Sequence, residues 1–130
     1  MLSLLKARLE ITRVARDWRL WSKAIAKAAR KVLGLCEVYV FGSVVEGRMT
    51  GGSDVDVLIV VDVLPENFAA RANLVAEIEE LARLPLYHPF EIHLVTRKEA
   101  DANSIYRKAA SKGTLISVEL EGEARHGERG

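Results

Sequence analysis

Residues 54–61 constrain the fold of this chain most strongly, because they read Asp-Val-Asp-Val-Leu-Ile-Val-Val. Apart from the two acids the run is apolar and rich in branched side chains, which favour the extended backbone of a β-strand. Other β-rich runs occur at residues 36–41 and 90–96, with a weaker one at 114–120. We therefore expect a sheet built from these four strands.

Helical patterns alternate with the predicted strands. Residues 2–33 contain no Pro or Gly and repeat apolar residues at helical spacing, which predicts one long helix that ends at Gly34. Two further helices are predicted at residues 65–83 and 97–112. Alternating helices and strands indicate an α/β or α+β domain in which helices pack on a sheet.

Charge and length divide the chain into three predicted parts. These are a long basic N-terminal helix at 1–34, one domain at 35–120 and a disordered tail at 121–130. The net charge is +1, but residues 1–35 carry +7 and the rest of the chain −6. Apolar runs all fall short of the roughly 20 residues that span a bilayer, so we expect a cytoplasmic protein with no membrane segment.

Two acids open the strongest predicted strand. Alternate residues of a strand project from one face, so Asp54 and Asp56 stand side by side about 7 Å apart. Their repulsion is relieved by a divalent cation, and Mg²⁺ commonly joins one or two carboxylates to substrate phosphates. The pair predicts a Mg²⁺ site.

A third acid is predicted near this pair. In the strand at 90–96 the apolar residues occupy one face, which leaves Glu91 and His93 on the other. If this strand neighbours that of Asp54, Glu91 reaches the same cluster and can hold a second cation or act as general base. His93 could contact a substrate, or it could be an ordinary surface histidine.

The turn at Gly42-Ser43 is suited to phosphate. Gly lets the backbone approach an anion closely and adopt positive φ, while the Ser hydroxyl and the following N–H groups can donate to phosphate oxygens. Arg48, in the same loop, could also hold a triphosphate or be solvated. Ser53 could contact the nucleotide or simply fix the turn before the strand.

These residues together resemble a known family. Val40-Phe41-Gly42-Ser43, followed after ten residues by Asp54-Val55-Asp56, resembles the signature of the minimal nucleotidyltransferases in the DNA polymerase β superfamily. Glu91 matches the later strand that carries their third acid. The resemblance covers about residues 36–96. Two positions depart from the pattern: Val44 stands where an Arg is common, and the third acid is more often Asp.

The resemblance implies a fold and a chemistry. It implies a mixed sheet flanked by helices, an NTP such as ATP, Mg²⁺, and transfer of a nucleoside monophosphate with release of pyrophosphate. We expect two Mg²⁺ ions, because in-line displacement at phosphorus can use a second cation to activate the attacking hydroxyl. We expect a protein or RNA hydroxyl as the acceptor, because so small a body has no second domain to enclose a small molecule. The implied catalytic and metal-binding residues are Asp54, Asp56 and Glu91, and the implied nucleotide-binding residues are Gly42, Ser43, Arg48 and Ser53. Many small members resemble antitoxins that pair with a helical HEPN-type toxin.

The sequence does not identify the surface against which the N-terminal helix packs. It repeats apolar residues every seven positions and carries Trp18 and Trp21 on that stripe, which suits its own domain, a second copy or a partner helix. Its basic face suits an acidic partner better than RNA, because aromatic residues for base stacking are not interleaved with it. An alternative function is therefore a catalytically weak or inactive binding module that acts through this helix.

Overall fold

The computed structural model describes residues 2–47 and 54–116. The predicted tail at 121–130 and most of the predicted fourth strand lie outside these residues. The elements in chain order are α1 Leu2–Arg16, α2 Trp18–Leu33, β1 Glu37–Phe41, β2 Val55–Val61, α3 Phe68–Leu81, β3 Phe90–Thr96, α4 Arg97–Ala102, α5 Ser104–Lys112 and β4 Thr114–Leu115. Among the described helices, none combines the length and the apolar character needed to cross a membrane.

The four strands form one mixed sheet in the order β3-β2-β1-β4. β1 pairs antiparallel with both β2 and β4, whereas β2 and β3 run parallel. The predicted mixed sheet flanked by helices is confirmed. β2 lies inside the sheet, and residues 57–61 of it are all buried, which is why this strand is a continuous apolar run instead of an alternating one.

The two faces of the sheet have separate cores. One face packs against α1, α2 and α3, with Ile25, Ile59 and Ile78 fully buried in a cluster that the three helices share. On the other face, Leu58 and Val60 of β2 meet the small residues of α4 and α5. The sheet is thus the middle layer of three, and side chains of β2 alternate between two apolar environments.

The predicted N-terminal helix is present over its predicted range, with an interruption at Asp17 that the sequence pattern did not indicate. Asp17 has φ −98° and ψ 32°, and its N–H lies 3.2 Å from both the Arg13 and the Val14 carbonyl oxygens. Asp is a weak helix former, and its dihedral angles here lie outside the helical range. The predicted stop is confirmed at Gly34, which has φ 83° and donates its N–H to Arg30.

Both tryptophans pack within the chain. Trp18 is buried in the core that α1 and α2 share, Trp21 packs against the same cluster, and the guanidinium of Arg19 lies 4.4 Å from the centre of the Trp18 ring. Of the alternatives open for this stripe, the structure therefore favours packing on the same domain for Trp18.

The prediction of one helix at 97–112 is wrong, because the chain forms two helices that meet at Asn103. Asn103 is the C-cap of α4 and the N-cap of α5, and its side chain accepts from the backbone N–H groups of Ile105 and Tyr106. An Asn side chain competes with helical hydrogen bonds in this way at helix ends. The bend turns α5 across the sheet, toward β1.

A polar clamp ties α3 to the start of α4. Arg71 donates to both carboxylate oxygens of Glu99, at 2.8 and 3.0 Å. Glu99 also accepts from the N–H of Thr96, whose hydroxyl accepts from the N–H of Glu99, so the two residues form a capping box. The Arg71 contact, followed by the Thr96 N–H, holds the pKa of Glu99 below its ordinary value of 4.5.

Replacing Glu99 with Gln should therefore destabilise the fold at pH 7 and not in acid. Gln can still complete the capping box but cannot form the ion pair. Because the folded pKa is lowered, the ionised form stabilises above the unfolded pKa, and this contribution disappears as pH falls through the folded pKa. For an exposed pair we expect about 0.2–1 kcal/mol at pH 7. Urea unfolding of the wild type and of Glu99→Gln, from pH 7 down to pH 3, measures the difference in the free energy of unfolding. A difference that does not shrink as the pH falls would contradict this role of Glu99.

Candidate active site

The predicted acids lie where β1 ends and where β2 and β3 begin. In the register of the sheet, Asp56 lies opposite Phe41 on β1 and opposite Glu91 on β3. Because β2 and β3 are parallel, residues paired in register project from the same face of the sheet. The prediction that these two strands are neighbours in the sheet is confirmed, and Asp56 and Glu91 lie side by side.

His93 joins this pair. Ligand atoms of Asp56, Glu91 and His93 all lie within 4.8 Å of one another. The Nε2 atom of His93 is 3.5 Å from Oδ1 of Asp56 and 3.8 Å from Oε1 of Glu91. The three side chains are 27%, 57% and 23% exposed, so the cluster opens to solvent on the side of Glu91. Sequence reasoning left His93 open to an ordinary surface role, and the structure places it in the cluster.

Aromatic side chains hold the His93 ring. Its Nδ1 atom is 3.3 Å from the hydroxyl of Tyr106 on α5. The ring centres of Tyr106 and Phe41 lie 5.6 and 5.7 Å from that of His93. Tyr106 was not identified from the sequence, because only the bend at Asn103 brings α5 over this part of the sheet.

Gly42 makes room for the Asp56 carboxylate. It has φ +89°, and a Cβ atom at this position would lie 2.6 Å from Oδ2 of Asp56. Glycine therefore suits this position in two ways: its backbone conformation is one that other residues rarely adopt, and the carboxylate occupies the space that a Cβ would take. The conformation of the glycine-serine turn and the position of the Asp56 carboxylate are therefore coupled.

The turn after Gly42 is anchored by an apolar residue. Residues 43–47 form a turn in which the N–H of Glu46 lies 3.3 Å from the Gly42 carbonyl oxygen. Ser43 is half-buried, and Val44 is buried in the core on the α2 side of the sheet. This burial explains one departure from the family pattern, because an Arg side chain could not be accommodated in that apolar environment without an ion partner.

A cavity of about 310 Å³ opens beside this turn. It lies between Gly42 and α5, with Phe41, Val45 and Ile105 among its apolar walls and with Lys108 and Lys112 among its polar ones. The two lysines were missed in the sequence. Their spacing of four on a predicted helix indicated a shared face, but the position of that face beside Gly42 depends on the tertiary fold.

The remaining predicted site residues are less constrained. Asp54 is exposed and immediately precedes β2, and among the described residues it is not part of the close group around His93. Arg48 and Ser53 lie outside the residues that the structure describes. Their roles stay predictions.

The donor atoms suit a divalent cation. Two carboxylates and an imidazole nitrogen are common protein ligands, and the separations between them are compatible with a shared ion. Gly42 leaves the space in which the Asp56 carboxylate lies. The residues present therefore fit a divalent cation, which is the kind of ion that the family resemblance implies.

The fold and this arrangement of acids beside a glycine-serine turn define a nucleotidyltransferase domain of the polymerase β type. The sequence matches the family model described as "Nucleotidyltransferase domain" over residues 22–116, which is well over half of the chain. The chain belongs to this family. Among curated proteins, no relative of the chain is found at a significant level of similarity.

Three solved structures are similar to this chain. A protein described in its structure as a candidate nucleotidyltransferase is 32% identical; the match covers 72% of this chain and 94% of that one, with a TM-score of 0.49. Another, from Sulfolobus solfataricus and described likewise, is 21% identical over 77% of this chain and 79% of that chain, with a TM-score of 0.48. A toxin-antitoxin structure with AMP-PNP is 18% identical over 83% of this chain and 82% of that chain, with a TM-score of 0.50.

Replacing Gly42 with Ala should destabilise the protein more than the same change at Gly47. Both glycines have positive φ, but a Cβ at Gly47 would meet nothing within 4 Å. We expect about 1 kcal/mol from backbone strain at either position and about 1–3 kcal/mol more at Gly42 from the collision with Asp56. Chemical unfolding measures the two differences.

The same substitution made in an Asp56→Ala variant isolates the collision. Asp56→Ala removes the Oδ2 and Cγ atoms that a new Cβ would meet. In that background, the cost of Gly42→Ala should fall to that of Gly47→Ala. An unchanged cost would mean that Gly42 does not make room for the carboxylate.

Proposed function

We propose that this chain is a metal-dependent nucleotidyltransferase that transfers a nucleoside monophosphate, AMP from ATP, to a hydroxyl group of a protein or RNA. The observation that carries the proposal is the pairing of Asp56 with Glu91 directly beside the Gly42-Ser43 turn. Two carboxylates of this kind can hold divalent cations against the phosphates of an NTP. Membership of the nucleotidyltransferase family supports the reaction class.

The cavity beside Gly42 is the proposed nucleotide site. Its volume of about 310 Å³ is at the lower end of the range for small-molecule sites, roughly 300–1,000 Å³. The apolar walls can pack against a base or ribose, and Lys108 and Lys112 can neutralise phosphate charge. Ser43 and the backbone N–H groups of its turn would donate to phosphate oxygens, with Arg48 and Ser53 as further candidates from the loop that follows.

The transfer is a displacement at the α-phosphorus. A bond forms between the acceptor oxygen and phosphorus, the bond to the β-phosphate oxygen breaks, and pyrophosphate leaves. A bound Mg²⁺ ion, or a pair of them, would lower the pKa of the acceptor hydroxyl and neutralise the leaving group. In this scheme Asp54 and Asp56 would hold the cation that positions the phosphates, and Glu91 accepts the hydroxyl proton.

The acceptor is proposed to be a macromolecule. Glu91, the side chain assigned to activate it, is 57% exposed at the edge of the cluster. A hydroxyl on a protein surface or an RNA end can approach such an open carboxylate without entering an enclosed cavity. The basic N-terminal helices, with a charge of +7 over residues 1–35, could attract an acidic or phosphorylated acceptor.

Replacing Asp56 with Asn should abolish transfer. Asn keeps the shape and removes the charge, so the fold is preserved while phosphate orientation and cation binding are lost. With ATP labelled at the α-phosphate, Mg²⁺ and co-purified partners, we expect labelling of a protein or RNA to fall by about 10²-fold or more. Asp62→Asn is the matched control, because Asp62 directly follows the other end of β2 and is 88% exposed. Equal labelling by wild type and Asp56→Asn would contradict the proposed chemistry.

Removing Lys108 and Lys112 together should weaken ATP binding. Each ammonium facing phosphate in a solvent-open cavity contributes about 0.5–1 kcal/mol, so the double Ala variant should raise the Kd for ATP by roughly five- to thirtyfold. The Kd for adenosine should change little, because adenosine carries no phosphate. Calorimetry with both ligands measures this, and Lys98→Ala on α4 serves as the control. An equal loss of affinity for adenosine would mean that the lysines contact the base or ribose. An unchanged affinity for ATP would mean that the lysines are not part of the nucleotide site.

A second candidate function is an inhibitory partner-binding module. It is favoured by Leu4, Leu5 and Leu9 on α1, which are all about half exposed. Such a row suits the apolar face of a helical partner, such as the HEPN-type toxin that the family resemblance implies. The toxin-antitoxin structure that shares this fold supports a paired assembly. If Asp56→Asn left inhibition of a toxin intact while Leu5→Glu and Leu9→Glu abolished it, this second function would replace the first.

A further inference from the structure

We propose that Nε2 of His93 binds the active-site cation directly and makes the site selective for a first-row transition metal, such as Mn²⁺, over Mg²⁺. The inference rests on the proposed function only in taking the Asp56 and Glu91 carboxylates to hold a cation. It adds a nitrogen ligand to a site that sequence reasoning treated as all oxygen.

The spacing of the donor atoms suits a shared cation. Donors that share one cation at about 2.1 Å lie roughly 3.0 Å apart in octahedral geometry and about 3.4 Å apart in tetrahedral geometry. Nε2 of His93 is 3.5 Å from the Asp56 oxygen and 3.8 Å from the Glu91 oxygen. These distances are too long for good hydrogen bonds. Small rotations of the two carboxylates would bring all three donors onto one ion.

One nitrogen of His93 has no hydrogen-bond partner among the described residues. The Nε2 atom of His93 is buried and has no hydrogen-bond partner, although it faces two carboxylates. A buried polar atom without a partner is rare and costly. If Nδ1–H donates to the Tyr106 hydroxyl, Nε2 presents a lone pair to two carboxylate oxygens. Three acceptors in such proximity repel one another, and a cation between them removes that repulsion.

The His93 ring is supported on the side away from the two carboxylates. A histidine that binds a metal usually makes a hydrogen bond through its other nitrogen, which fixes the tautomer and the ring orientation. Tyr106 is in this position at 3.3 Å from Nδ1, and Phe41 and Tyr106 both pack near the ring. The imidazole is thus oriented before a metal arrives.

Donor chemistry decides the class of metal. Carboxylate and water ligands suit Mg²⁺, Ca²⁺ and Mn²⁺, whereas imidazole suits transition metals. Mg²⁺ strongly prefers oxygen and gives up its water reluctantly. Mn²⁺ accepts both donor types, so a site of two carboxylates and one imidazole should bind it more tightly than Mg²⁺.

Electron paramagnetic resonance of Mn²⁺ tests the proposal. The full chain is freed of metal with a chelator and titrated with Mn²⁺, and electron spin echo modulation then detects a directly bound ¹⁴N nucleus. We expect an imidazole ¹⁴N coupling that changes to ¹⁵N coupling when the protein carries ¹⁵N-histidine. This arm uses the unaltered sequence, so it does not depend on whether a variant folds. Mn²⁺ bound without a histidine nitrogen coupling would overturn the proposal.

Variants assign the nitrogen among the three histidines of the chain. His93→Gln should abolish the coupling and weaken Mn²⁺ binding by about 10- to 100-fold, with Mg²⁺ binding changed by less than about threefold. His88→Gln is the matched control, since His88 pairs with Glu79 at 3.1 Å away from the cluster. Tyr106→Phe should keep the coupling and weaken Mn²⁺ binding. Retained coupling in His93→Gln would overturn the assignment.

The outcome separates this inference from the proposed function. Nitrogen coupling without any nucleotidyl transfer would count against the transferase proposal and leave the His93 ligand standing. Transfer activity in a protein whose bound Mn²⁺ shows no histidine nitrogen coupling would support the transferase proposal and count against the His93 ligand.

Discussion

The parallel pairing of β2 with β3 is the constraint on which the site depends. Its register sets Asp56 opposite Glu91 and Leu58 opposite His93. A slip of one residue would turn Glu91 and His93 toward the α3 side of the sheet and would remove Ile92 and Leu94 from that side. Because Ile92 and Leu94 are packed on the α3 side of the sheet, hydrophobic burial enforces the register that the chemistry requires.

The opposite wall of the site depends on a second constraint, the close approach of Gly42 to Asp56. A glycine with positive φ ends β1 and leaves the carboxylate room, while Val44 fastens the following turn into the core. Across the cavity, the cap at Asn103 bends the chain so that α5 brings Tyr106, Lys108 and Lys112 over the sheet. The ligand-facing surfaces are therefore held by packing and capping interactions away from the reacting groups.

Much of the fold, and the strand face on which each acid lies, could be predicted from the sequence, because both depend on short-range periodicity. The strand at Phe90–Thr96 has the predicted bounds, and its alternation placed Glu91 on the face where it lies. The interruption at Asp17 and the bend at Asn103 could not be predicted in the same way, since one polar residue in a helical run is usually tolerated. The surroundings of His93 arise from three separate elements and are visible only once these have packed together.

A crystal structure with Mn²⁺ and a non-hydrolysable ATP analogue tests the central claim most directly, since Mn²⁺ is located by its anomalous scattering. The account predicts an anomalous peak within about 2.5 Å of carboxylate oxygens of both Asp56 and Glu91, with the triphosphate between that ion and the Gly42-Ser43 turn. A nucleotide bound elsewhere, or an ion that contacts neither carboxylate, would contradict it.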